Sequence, residues 1–570
     1  MMLSSGWTYG CIRSRAAAMR HLFLLVVLAL SSFRAPGQGL PAEGTGVGEA
    51  RVEGFVVKAA TGEPLPKAWV SLRQAGGGKE TVSAITGSDG RFVVNGIVPG
   101  HYLLWARADG YIAAEYGQHD RNQPGSVLIL GPDSHETHLV FRLIPAAVIS
   151  GRVFNEGGEP LVKVLVQALK YGYSQGKQHP APVSFEVTND QGEYRLQGLP
   201  AGKYYVTATF RPGVSTVAGG RGAGPAPGSM YAPTFYPGTT EPARAVPIEL
   251  QQGGETSGID ITFLDSTGVT VRGRILKNPT ARPVKHMNID LSPRNPGGRT
   301  AFVSPPAAVD GDGNFQVRNV LPGSYMLTVS WDDGERRHAG RQTVEVANAD
   351  IDGVTVVIDA GLELSGRLRV EGDPPLDLAN FRVSLRSTGE SPLGTPNSAV
   401  GVDGKFLLQD VEADTYRVAV AGLSGSFYLK SVQLGGHDVL GPGLDLTTGT
   451  ARGALEILLS PDGGRIDGNV VSEQKTPWPG ARVVLVPTGA LRPRPDLYKE
   501  TTADPYGHFA LTGIPPGEYK LFAWREIELE AYQDPAFLRP YEDQGGPVTV
   551  QAKGYLTLQL SVIPSRHQLR

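Results

Sequence analysis

"GSDGRFVVNGIVPGHYLLWA", residues 87–106, is the stretch on which the fold turns. Asp89-Gly90 leads into Phe92, Gly96 interrupts the apolar run, and Pro99-Gly100 precedes Tyr102. Taken alone, it reads as a ligand loop or as architecture. Four further segments settle the choice: "GEYRLQGLPAGKYYV" (192–206), "GNFQVRNVLPGSYML" (313–327), "GKFLLQDVEADTYRV" (404–418) and "GHFALTGIPPGEYKL" (507–521).

The register is counted from the first aromatic, which is Phe92, Tyr194, Phe315, Phe406 or Phe509. Two residues on stands Val94, Leu196, Val317, Leu408 or Leu511; five on stands Ile97, Leu199, Val320, Val411 or Ile514. Ten on is always tyrosine (Tyr102, Tyr204, Tyr325, Tyr416, Tyr519), and twelve on is again aliphatic. About forty residues upstream of each copy lies a second element: "VEGFVV", "ISGRVF", "VRGRIL", "LSGRLR" and "IDGNVV". Their glycines, Gly54, Gly151, Gly273, Gly366 and Gly468, are 97, 122, 93 and 102 residues apart, which is domain spacing. Each copy closes on an alternating strand such as "HLVFRLI" (138–144) or "LTLQLSVI" (556–563).

Period-two alternation between turn residues marks half-buried antiparallel strands, and no long helical periodicity competes with it. The expected fold is all-β: tandem seven-stranded Greek-key β-sandwiches, transthyretin-like and immunoglobulin-like in shape. The expected modules are 50–145, 146–266, 267–360, 361–461 and 462–564. Last strands run almost directly into first strands, so a semi-rigid string is expected. Within the quoted stretch, Asp89-Gly90 is a turn with Gly at positive φ, and Phe92, Val94 and Ile97 enter the core. Pro99-Gly100 reads as a type II turn with Gly100 at positive φ. Tyr102 is placed to bury its ring and return its hydroxyl to a backbone carbonyl, as in a tyrosine corner. The fourth copy, "VEADTY", lacks the Pro-Gly pair; a different turn is expected there, with Tyr416 still buried.

The motifs resemble the carboxypeptidase regulatory-like domain family, which is similar to collagen-adhesin B-type and carbohydrate-binding-like sandwiches. The carrying residues are the opening glycine, the Gly-x-aromatic strand and the Pro-Gly-x-Tyr corner. The resemblance implies non-catalytic appendages or tandem stalks. A zinc peptidase would need His-x-x-Glu, and none of the 11 histidines has Glu three residues later. The reading is therefore not an enzyme, with no cofactor and no metal. "DGDGNF" (Asp310, Asp312, Asn314) only begins like a calcium loop, because Phe315 and Leu321 stand where Gly and Glu are required. "HETH" (His135, His138) is expected to be a solvated loop before a strand.

The chain has 53 basic and 56 acidic residues among 570, net −3, which gives nucleic acid no basic face. Residues 1–38 read as a signal peptide: Arg13, Arg15 and Arg20 precede the nine-residue apolar run Leu22 to Leu30, too short to span a bilayer. Met19 is an alternative start. The single cysteine, Cys11, would leave with the signal. The mature chain is expected to be exported (periplasm, cell surface or secreted), bacterial, and without a transmembrane span.

Aromatic loops follow the repeat in three copies. Tyr111 and Tyr116, Tyr231, Phe235 and Tyr236, and Tyr532, Phe537 and Tyr541 are the candidate ligand-contact residues. They form either a flap over the sandwich edge or a platform for sugar rings or peptide. Trp105 and Trp524 are expected in strand-end core or inter-domain packing. Three functional readings follow: an exported scaffold or binding array, a carbohydrate-binding protein using the aromatic loops, or a surface stalk or adhesin. The corresponding partner is a glycan or an envelope protein.

Overall fold

The structure, a computed structural model, describes residues 49–75, 81–118, 125–174, 176–210, 229–277, 287–294, 307–332, 336–372, 376–389, 394–423 and 425–564. Residues 1–38, read above as a signal peptide, with Cys11, and most of the Gly-rich stretch 211–230, expected to be a mobile loop, lie outside them.

Strands dominate, and the first copy shows the plan. Its strands are β1 (Ala50–Lys58), β2 (Trp69–Gln74), β3 (Thr81–Ile85), β4 (Arg91–Ile97), β5 (Gly100–Arg107), β6 (Ala114–Glu115), β7 (Leu128–Leu130) and β8 (His135–Leu143). One sheet has the order β4-β1-β8; the other has β3-β2-β5-β6, with β7 also on β5. Phe92, Val94, Ile97, Leu104 and Phe141 fill the space between the sheets. Further hydrophobic clusters run from Ala147 to Phe263, Val269 to Ile358, Leu364 to Leu459 and Ile466 to Val550. The third copy departs in topology. Its strand Arg337–Val346 pairs with both Gly323–Asp332 and Ile351–Ala360, which joins the two layers into one seven-stranded sheet.

The ladders are not all antiparallel. In every copy the first strand pairs antiparallel with the aromatic strand and parallel with the last strand. Alternation cannot reveal direction, because side chains face alternate sides in either case. The parallel pairing explains the opening glycines. Gly54 faces Phe92 across the ladder, and a Cβ on Gly54 would lie 2.0 Å from the Leu139 carbonyl oxygen. Gly151, Gly273 and Gly468 meet the equivalent carbonyl at 2.0–2.1 Å, and Gly366 meets the Phe406 ring at 2.2 Å.

The turn before the aromatic strand is as expected: Gly90, Gly192, Gly313, Gly404 and Gly507 all take φ between 72° and 82°. The second turn differs. Gly100 begins β5 without positive φ; the left-handed residue is Gly96, at φ 70°. Gly198, Asn319, Asp410 and Gly513 repeat it at φ 73°, 62°, 53° and 62°. These types tolerate that conformation. Gly100 is small for another reason: the Tyr102 ring folds back over it, 3.3 Å from where a Cβ would sit.

The tyrosine corner is present. Tyr102, Tyr204, Tyr416 and Tyr519 donate to the carbonyl four residues back, Val98, Pro200, Glu412 and Pro515, at 2.8–2.9 Å. The fourth copy thus keeps the tyrosine bond and the left-handed residue without Pro-Gly.

Candidate ligand-binding groove

The inward row of β2 and β5 (Val70, Leu72, Leu104, Ala106) is buried. By alternation the other row, Trp69, Ser71 and Arg73 with Leu103, Trp105 and Arg107, lies on the open face of this sheet. Trp69 opposes Arg107, and Ser71 opposes Trp105. The Arg73 guanidinium sits 4.5 Å from the Trp105 ring centre, and that of Arg107 sits 5.5 Å from Trp69. Both guanidiniums lie within cation–π distance of an indole. A depression of about 400 Å³ is lined by Trp69, Ser71, Trp105 and Arg107 together with Glu115 and Gln118, and Arg73 lies outside its lining. Glu115 is fixed there by accepting from the Gly125 amide at 2.6 Å. Trp69 is 40% exposed, and Arg73 and Arg107 are exposed. Trp105 is half-buried on this face rather than in strand-end core.

The fifth copy shows the same slots filled. Phe522 and Trp524 stand where Trp105 and Arg107 stand, one and three residues past the aliphatic that follows the corner tyrosine. They oppose Val484 and Arg482. Their rings stack at 4.9 Å, and a flap of short helices between Ala531 and Gln544 covers them. Tyr532, Leu538 and Tyr541 close a second core with them. The Tyr532 hydroxyl donates to Glu500, which also pairs with buried Arg482 at 3.1 Å. Trp524 is thus core, as expected.

Packing accounts for the eight aromatic candidates. Tyr231, Phe235, Tyr532 and Tyr541 are buried, which denies a sugar access to their faces. Tyr231 lies 5.1 Å from Phe263 and 5.4 Å from Phe210. Tyr111, Tyr116 and Tyr236 are half-buried against their own cores, Tyr116 edge-on to Phe141 at 6.2 Å. Half-buried Phe537 meets Tyr173 of the second copy at 5.9 Å. That contact adds to the expected string a link between non-neighbours. It arises because the second copy's hairpin arms, Val164–Ser174 and Lys177–Val187, are eleven residues each. Lys170 reaches Glu528 there at 3.7 Å.

The fourth copy's corner also has a cover. Arg341 of the third copy pairs with Asp414 at 3.3 Å and donates to the Ala413 carbonyl at 2.6 Å, while the Arg337 amide donates to Asp410 at 3.1 Å. Asp410, Ala413 and Asp414 occupy the places of Gly96, Pro99 and Gly100. Glu412 lies between them, 8% exposed, with one carboxylate oxygen unpartnered. Burial pushes its carboxyl up to about 7, against the opposing pull of Arg337 and Arg341 and with a small push from Asp410.

The calcium-like fragment is a turn. Asp310 accepts from the Asp312 and Asn314 amides at 2.9 Å, and those bonds, with Asn314's side chain first among them, hold its carboxyl low. His135 and His138 lie within β8 rather than before it; His138, at φ 64°, sits where the register against β1 shifts. Among the described residues no group of three or more His, Cys, Asp or Glu could hold a metal. Among them, too, no helix is long and apolar enough to cross a membrane.

Residues 51–128 match the carboxypeptidase regulatory-like domain family. The first copy is thus a domain of that kind, within a multi-domain β-sandwich protein. The chain is 28% identical over 281 residues to human BOS complex subunit NOMO3, covering 48% of this chain and 22% of that protein. Mouse BOS complex subunit NOMO1 is 27% identical over 279 residues, with 48% and 22% covered. The chain therefore spans about a fifth of these relatives. Among solved structures, the Streptococcus agalactiae minor pilin GBS52 aligns at 12% identity and TM-score 0.20, covering 38% of this chain and 96% of that one. The RrgB pilus protein of Streptococcus pneumoniae aligns at 8% identity and TM-score 0.15, covering 73% and 98%.

Proposed function

We propose that the protein is an exported, non-catalytic scaffold or binding array of five carboxypeptidase regulatory-like modules, 50–145, 146–266, 267–360, 361–461 and 462–564. One observation carries this reading: the recurring residues all have architectural work. Glycines admit carbonyls, left-handed residues turn corners, tyrosines close them, and Asx side chains cap hairpins. What differs between copies lies on surfaces where a module meets something else. The human relative is a subunit of a complex, and a part within an assembly suits such an array.

In-cell crosslinking with mass spectrometry, combined with N-terminal sequencing of the product, tests this. The expected outcome is a chain processed near residue 38 and crosslinked to envelope components. A cytosolic chain with an intact N-terminus, or substrate turnover that maps to the chain, would refute it.

A further inference from the structure

We propose that the open face of the first module is a binding site for an acidic oligosaccharide, a chain of pyranose rings bearing carboxylates. This rests on the binding-array reading and names its ligand and its place. The comparison between copies carries the inference. In the fifth copy the two outward slots of the central strand hold Phe522 and Trp524, and the chain folds its own flap over them. In the first copy the same slots hold Trp105 and Arg107, with Trp69 and Arg73 opposite or diagonal to them. No segment of the described chain covers them, and the depression stays open.

The occupant follows from the chemistry of the face. The exposed part of the Trp69 indole offers apolar surface to the C–H side of a sugar ring. Ser71, Glu115 and Gln118, which line the depression, offer acceptors and donors to ring hydroxyls. Arg73 and Arg107 have no acidic partner within ion-pair distance among the described residues. The N–H groups of a guanidinium without an acidic partner match a carboxylate in bidentate fashion. A neutral glycan would leave both cations unanswered. A nucleic acid would want a longer basic track than two arginines beside a glutamate.

The test is isothermal titration of the full exported chain with tetragalacturonate and with maltotetraose. Tetragalacturonate should bind, weaken as salt rises, and outbind maltotetraose by about tenfold or more. Trp69→Ala and Arg73→Gln should each cut tetragalacturonate affinity by about tenfold, with the circular dichroism of the chain unchanged. Since both residues lie on the open face, folding is expected to survive; a change in circular dichroism would shift the test to Arg107→Gln. Three binding results would overturn the choice of ligand, and a fourth the place. They are no binding of tetragalacturonate, equal binding of maltotetraose, or preferential binding of a single-stranded oligodeoxynucleotide. Binding that persists unchanged in the variants would remove the site from this face while leaving the array reading intact. Failure of the array reading would appear instead as a chain retained in the cytosol.

Discussion

The first and fifth copies put aromatic residues at the same outward slot of the same strand, yet one buries them and the other does not. In the fifth copy Phe522 is fully buried beneath the flap, close enough that a Cβ on Gly545 would lie 2.4 Å from its ring. In the first copy Trp105 lies within cation–π distance of Arg73 at a half-open surface. The difference teaches how this array is diversified. The inner face and the corner recur, and in the fourth and fifth copies the departure from them is paired with a cover. The fifth copy's cover is its own flap, and the fourth copy's is a pair of arginines from the third. The second copy's long hairpin ends on the fifth. The first copy's outward row has no such cover among the described residues.

Four outcomes would break or sharpen this contrast. Phe522→Ala, by opening the second core, should cost about 3–5 kcal/mol in denaturant unfolding of the fifth copy. A much smaller loss would mean that the flap is not packed.

The corner of the fourth copy should respond to pH. Glu412's carboxyl is raised from its ordinary value to about 7 in the folded state. The folded state therefore holds the proton more tightly, and the resulting stability is present at low pH and lost as pH rises from about 4.5 to about 7. The expected change is on the order of 2–3 kcal/mol, read as a fall in the melting temperature across that window. Glu412→Gln should flatten it; an unchanged slope would remove Glu412 as the cause.

Arg341→Ala should cost about 2 kcal/mol, because it leaves Asp414 buried with a lost partner. Hydrogen exchange should rise on both sides of the junction between the third and fourth copies. Exchange that rises in the third copy alone would contradict a shared joint. Smallest of all, Trp105→Ala should cost about 1 kcal/mol or less, since the ring covers surface rather than filling a core. A loss equal to that of Phe522→Ala would erase the distinction between the two faces.

Much of the fold is legible in the residues because it is written five times. The aromatic at Phe92, the plug at Ile97 and the tyrosine at Tyr102 occupy the predicted places, as do their equivalents. What stayed hidden is relational. Strand direction leaves no trace in alternation, so the parallel first and last strands emerge only in three dimensions. Gly96 and Gly100 are the same residue type, and the sequence does not say which carries the positive φ. Aromatic loops look alike whether their rings face solvent or core, which is why Tyr231 and Tyr541 read as candidates and prove buried. The open face did leave a signal: Trp69, Ser71 and Arg73 alternate out of phase with Val70 and Leu72, as do Trp105 and Arg107 with Leu104 and Ala106. Reading the polar phase of a strand as closely as its apolar phase would have found it.

The parallel pairing of first and last strands has a mechanical meaning. The chain enters a module at one end of that ladder and leaves at the other. In the first and fifth copies seven paired positions join the two strands. A pull on the two ends of such a module loads those bonds in shear, all together, instead of peeling them one by one. Strands so wired resist being pulled apart until the whole ladder gives way at once.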